Sequence, residues 1–159
     1  DLPSLQTKEG EIIYGDEIQS YITKPQNKYQ ELMRKRSKKV YNHIGSIPIE
    51  KTKKMISLVP EGKNYKALPE EYKYHEALTR YHSDKPSLTI NTGHRSHFHY
   101  KYNRIPTVRE SARLQSFPDD FIFYGNKSQQ YKQVGNAVPP LLGYAVASEL
   151  KNYLENGDV

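Results

Sequence analysis

The stretch Arg104-Ile105-Pro106-Thr107-Val108-Arg109-Glu110-Ser111-Ala112-Arg113-Leu114-Gln115-Ser116-Phe117-Pro118-Asp119 carries the clearest local signal in the chain. Thr107 and Glu110 stand at capping-box spacing, where the Thr hydroxyl accepts from the Glu amide and the Glu carboxylate returns to the Thr amide. A helix is predicted to begin at Val108 and run to about Ser116. Phe117-Pro118-Asp119-Asp120 would end it, because the residue before a proline is pushed out of the helical region. Val108, Ala112 and the Leu114 to Gln115 end give this helix one modest apolar side.

Downstream, Pro139-Pro140 predicts the start of a second helix, where a missing amide hydrogen costs nothing, and Gly157 predicts its close. Leu141, Leu142, Ala145, Val146, Leu150, Tyr153 and Leu154 run along it as a broad apolar stripe that needs a substantial partner surface. Upstream, Ser87 to Thr92 alternates and is bounded by Pro86 and Gly93, which predicts a strand, with a second strand around Phe98 to Tyr102 to complete a small sheet. Residues 41 to 75 are punctuated by Gly45, Pro48, Pro60, Gly62 and Pro69, leaving room for a short helix around Ile49 to Leu58. Gln26 to about Val40 reads as a basic amphipathic helix, and residues 1 to 25 as loop with one weak strand at Glu11 to Gly15. The expected class is α+β: a small mixed domain with a short β-sheet, followed by a C-terminal helix.

With 159 residues, 35% of them hydrophobic, and a mean hydropathy of -0.89, the core is modest and much of the chain faces water or a partner. The fourteen tyrosines suit such a surface, since the ring packs while the hydroxyl stays wet. The net charge is +6, and the excess is concentrated: Arg34, Lys35, Arg36, Lys38, Lys39, Lys51, Lys53 and Lys54 face only Glu50 within their span. Such a block is relieved by a polyanion, so nucleic acid is the natural partner; the plainer alternative is a solvated helix face followed by a basic loop. No run approaches the ~20 apolar residues of a bilayer span and the first residues form no leader, so a soluble, intracellular protein is expected, read as a fragment of a longer frame because no Met begins it. The absence of cysteine removes thiol nucleophiles and thiolate metal sites. His94, His97 and His99 have no cysteine or carboxylate cluster beside them in sequence, and no metal is expected.

The Arg104 to Asp119 stretch closely resembles the ninth sequence motif of DNA cytosine-5 methyltransferases, and Gln133-Val134-Gly135-Asn136-Ala137-Val138-Pro139-Pro140 resembles the family's tenth. Weaker similarities lie at Asp1-Leu2-Pro3, at Asn42-His43 and at Asp84-Lys85-Pro86-Ser87-Leu88-Thr89-Ile90. The resemblance implies three parts: a variable target-recognition region over 1-103, a ninth-motif scaffold helix and connection over 104-134, and a tenth motif with C-terminal helix over 135-159 that returns to an α/β catalytic domain. The family's Gly-rich loop, Pro-Cys nucleophile, catalytic Glu and Arg pair have no counterpart here. The chain is therefore expected to be the DNA-recognition fragment of a DNA (cytosine-5-)-methyltransferase, inactive alone, and to hold no catalytic residue. Two rival readings are a non-catalytic subunit of a split enzyme and a free-standing DNA-binding module.

By resemblance, Thr89 and Ile90 match a Thr-aliphatic pair at the heart of the variable region, with Thr89 suited to a phosphate near a flipped base; the alternative is an ordinary strand threonine. Asn91, Thr92, His94 and Arg95, with Ser96 and His97, form a donor-rich segment suited to base edges or phosphates, or else a solvated loop. Lys35 and Lys38 join the DNA-binding set. Arg109, Glu110, Arg113 and Gln115 are expected to tie neighbouring loops to the helix as a scaffold, by ion pairing for the arginines; direct phosphate contact is the alternative. Asn136, Ala137 and Val138 would line the methionine end of S-adenosyl-L-methionine, with Gly135 allowing close backbone approach and the amides before Pro139 near a helix start suited to a carboxylate; otherwise they are a generic helix start. Expected partners are double-stranded DNA and a missing N-terminal catalytic domain or companion chain. The C-terminal stripe predicts either a dimer or an exposed apolar patch. A restriction-modification context and a cytoplasmic, nucleoid-associated location complete the expectation.

Overall fold

The computed structural model describes residues 5–7, 18–46, 48–68, 79–92 and 97–157. Among the described residues, three two-stranded pairings and five α-helices give an α+β arrangement. β1 (Leu5–Thr7) pairs in parallel with β4 (Ile44–Ser46), and β2 (Ile18–Ser20) pairs antiparallel with β3 (Lys39–Tyr41). β5 (Thr79–Arg80) runs parallel to β6 (His97–Phe98). The expected weak strand at Glu11 to Gly15 lies outside the described residues.

The basic helix is shorter than periodicity predicts. α1 spans Lys28–Arg34, capped by Asn27, whose side chain accepts from the Gln30 amide. Residues 39 to 41 leave the helical pattern because they pair with β2, with Val40 fully buried. α2 (Glu50–Leu58) falls where the sequence places it.

The expected strand over Ser87 to Thr92 does not form, and β6 finds its partner in Thr79–Arg80 instead. The segment packs by its side chains and main chain: Ile90 lies against a core cluster, and the Asn91–Thr92 peptide lies against Gly135. An extended run that gains no ladder hydrogen bonds has no reason to pleat.

α3 (Val108–Leu114) carries both halves of its predicted capping box. It ends earlier than Pro118 requires, because Ser116 adopts a φ of 62° and turns the chain. Val108 and Ala112 are buried, whereas Leu114 is 46% exposed and does not belong to the apolar side. Residues expected as a connection contain a further helix, α4 (Lys127–Asn136), opened by a second capping box between Asn126 and Gln129. α5 (Pro140–Asn156) closes on Gly157, which takes the left-handed conformation at φ 63°.

Two separate clusters form the core. Met55, Ile56, Val59, Leu68 and Phe98 join α2 to β6, with Tyr65 and Ile105 against them. Val108, Ala112, Phe117, Phe123, Tyr131 and Val134 join α3 to α4. Burying each of these larger side chains contributes roughly 1.5–3 kcal/mol. No residue of α5 is buried: Leu142 is 55% and Leu154 71% exposed, so the apolar stripe is an open patch on this chain. Among the described residues no helix is long and apolar enough to cross a membrane.

Candidate nucleic-acid interface

Around α3 the polar side chains close into a network. Glu110 accepts from the Thr107 amide at 2.7 Å and takes both Nη atoms of Arg104 at 2.7 Å. Burial pushes its carboxyl up, but the hydrogen bond and charge of Arg104 outweigh that and hold it down to about 2. His99 lies 3.7 Å from the same carboxylate; burial holds its imidazole down to about 4.

Arg109 is completely buried and carries no carboxylate partner among the described residues. Its guanidinium donates to carbonyl oxygens of Tyr41 (2.9 Å), Pro118 (3.0 Å) and Phe121 (2.5 Å), so it ties the end of β3 to the 118–121 turn. Burial lowers its pKa to about 10. The ion-pair geometry expected of both arginines is present only at Arg113, whose Nε and Nη2 meet Asp119 at 2.9 and 2.6 Å. Gln115 donates to the Val134 carbonyl, joining the end of α3 to α4.

Asn42 is the other hub. It sits at φ 59°, a conformation Asn tolerates, and its side chain reads both the amide (3.0 Å) and the carbonyl (2.7 Å) of Phe123. Its own carbonyl accepts from the Arg109 amide, and His43 Nδ1 lies 2.8 Å from Thr107 Oγ1. The β3–β4 corner is thereby fixed to the start of α3.

Of the residues expected to meet DNA, Thr89, Asn91 and Thr92 are exposed and Ile90 is half-buried. His94 and Arg95 lie outside the described residues. Lys35 and Lys38 are exposed on the turn beyond α1, a different element. That element is anchored to the loop after α3: the Asp119 amide donates to Met33, Tyr29 donates to the Arg113 carbonyl, and Arg36 pairs with Asp120.

The residues expected at the cofactor straddle the end of α4. Asn136 is the helix's last residue and Ala137 its C-cap, with the Ala137 amide bonded to the Val134 carbonyl. At the start of α5, Pro140 has no amide hydrogen and the Leu141 amide donates to Ser116 Oγ at 3.1 Å, leaving fewer free donors for a carboxylate than the sequence suggests. Asn136 and Val138 both remain exposed.

These two expected sets are adjacent. Ile90 and Ala137 pack against the same core cluster, and Gly135 touches the Asn91–Thr92 backbone. Beside them a small pocket is lined by Ile90, Asn91, Pro106, Ser111 and Tyr131 and by Tyr81 stacked on His97 at 4.9 Å, with burial lowering the His97 pKa. Sequence reasoning marked Asn42 only as part of a weak similarity and did not anticipate the Tyr81–His97 stack or Arg80. Arg80 is buried and donates to the carbonyls of Ile56, Val59 (2.7 Å) and His99 (3.2 Å). Only the Asn42-His43 pair carried any signal in the sequence.

The model of the C-5 cytosine-specific DNA methylase family matches residues 4–152. A type II methyltransferase of Desulfomicrobium norvegicum, M.DdeI, is 36% identical over an alignment of 179 residues that covers 98% of this chain and 42% of the relative. M1.HphI of Haemophilus parahaemolyticus is 63% identical over 68 residues, 43% of this chain and 18% of the relative. A solved structure described as a prophage-encoded DNA modification methyltransferase of E. coli superposes with a TM-score of 0.70 at 18% identity, covering 98% of this chain and 44% of that one, which speaks to the fold. The chain thus spans less than half the length of these relatives. By the extent of the match, this chain belongs to the C-5 cytosine-specific DNA methylase family.

Proposed function

We propose that this chain is the DNA-reading part of an S-adenosylmethionine-dependent DNA cytosine-5 methyltransferase, with residues 1-103 as target-recognition region, 104-134 as scaffold and connection, and 135-159 returning to the catalytic domain. The observation that carries this reading is the adjacency of the 89–92 segment and the 135–138 loop within a chain of this family. An enzyme that methylates a flipped base must hold duplex and methyl donor at a fixed separation, and one rigid block bearing both edges does so.

In this reading Thr89, Asn91 and Thr92, with His94 and Arg95, face the duplex, and Lys35 and Lys38 hold phosphates from a second element. Arg109, Arg113, Glu110 and Gln115 keep those elements in register. An exposed amide at Asn136 beside the apolar Val138 fits one edge of a cofactor site, not a whole one. The donor, when bound, supplies an electrophilic methyl group. With no cysteine in its 159 residues the chain cannot add a thiolate to C6 of cytosine. The nucleophile would come from an N-terminal catalytic domain or from a companion chain, and the bare stripe of α5 favours such a covering surface.

The test is transfer of tritiated methyl groups from S-adenosylmethionine to plasmid DNA, with bisulfite sequencing to locate the modified base. The complete gene product, with any companion chain, is expected to label cytosine C5, and residues 1–159 alone to label nothing. Labelling at adenine, or none by the complete product with its companion, would refute the proposal.

A further inference from the structure

Gly135 lies in the last turn of α4, where backbone freedom is not the reason for a glycine. A Cβ built there would stand 2.5 Å from both the carbonyl carbon and oxygen of Asn91 and 2.6 Å from the Thr92 nitrogen. All three atoms are main chain, so no rotamer change relieves the clash; the whole 91–92 peptide or the end of α4 would have to move. A second, independent tie points the same way. Ile90 and Ala137, the neighbours of the two contacting segments, both pack against the cluster containing Tyr131 and Val134. Gln115 fixes the Val134 carbonyl from beneath.

We infer that Gly135 is a positioning residue that couples the duplex-facing segment to the cofactor-edge loop, so that binding of DNA and binding of the methyl donor reinforce one another. The inference rests on the functional reading above. Because main chain meets main chain across Gly135, a shift of Thr89 to Thr92 on meeting a duplex displaces the end of α4 and with it Asn136 to Val138. Coupling of this kind is reciprocal, so either ligand tightens the other by the same factor.

The test uses the complete gene product and S-adenosylhomocysteine as the cofactor probe, measured by calorimetry with and without saturating plasmid DNA. Wild-type protein first establishes methyl transfer to cytosine; its absence sinks the functional reading and this inference with it. Given transfer, wild-type protein and a Ser128→Ala control, exposed two turns earlier on the same face of α4, are expected to bind the probe at least ~5-fold more tightly when DNA is present. Gly135→Ala, whatever its affinity for the probe without DNA, is expected to lose most of the DNA-dependent gain. Unchanged dependence in Gly135→Ala, or none in the wild type, overturns the inference. A measurement without substitution guards against a variant that does not fold: amide hydrogen exchange at Asn91 and Thr92 of the wild type should slow on adding the probe alone, and unaltered exchange there also overturns it.

Discussion

Asp119 receives the guanidinium of Arg113 through two bonds, at 2.9 Å on Oδ1 and 2.6 Å on Oδ2, and the same Oδ2 takes the Tyr21 hydroxyl at 2.6 Å. The carboxylate is fully buried, so a residue in the loop after α3 carries the packing of a segment almost a hundred positions earlier. Asp119→Asn leaves the Arg113 charge without its counter-charge and is expected to cost roughly 3–5 kcal/mol of stability. Tyr21→Phe removes one hydrogen bond and is expected to cost about 1 kcal/mol. Urea unfolding of the chain checks both, and equal effects would contradict the central place given to the ion pair.

Arg109 offers a sharper case because its partners are three carbonyls on two segments. A lysine has one donor group at the end of a flexible stem and cannot span them. Arg109→Lys is expected to destabilise the chain by roughly 3 kcal/mol, since at least two charge-assisted bonds are lost. A stability within about 0.5 kcal/mol of wild type would show that charge alone matters at this site.

Acid should unfold the chain in two stages. The folded His99 imidazole is held down to about 4 by burial, below its usual 6.5, so protonation favours the unfolded chain and stability falls as pH drops from 6.5 towards 4. Glu110 is held down to about 2 against a usual 4.5, so its contribution is complete above 4.5 and is lost as pH falls from there towards 2. Melting temperatures across pH 2 to 8, flat only above about 6.5, are the expected record. Glu110→Gln should abolish the lower stage and keep the upper one.

The side chains of Lys35 and Lys38 are exposed and make no ion pair or hydrogen bond among the described residues, so their removal should leave the fold intact. If both neutralise phosphates, Lys35→Ala with Lys38→Ala is expected to weaken duplex binding and to reduce the slope of log affinity against log salt by about 2. Gel shifts at three salt concentrations measure the slope. An unchanged slope would remove these two lysines from the interface.

Signals confined to a few neighbouring residues were legible directly from the amino-acid order. The Thr107–Glu110 box, the Pro139-Pro140 start and Gly157 stop of α5 and the position of α2 all rest on contacts within about one helical turn or on local residue pattern. The Asn126–Gln129 box belongs to the same local class.

Tertiary structure alone decided the rest. Whether residues 39 to 41 continue a helix or pair with Ile18–Ser20, whether Ser87 to Thr92 becomes a strand, and which backbone Gly135 admits are settled by partners 18 to 44 positions away that no local pattern names. Arg109 makes the point most plainly. Its place in the motif suggested an ion pair, but burial among Tyr41, Pro118 and Phe121 gave it carbonyls, because hydrogen-bond partners in a core are chosen by what the fold brings within 3 Å.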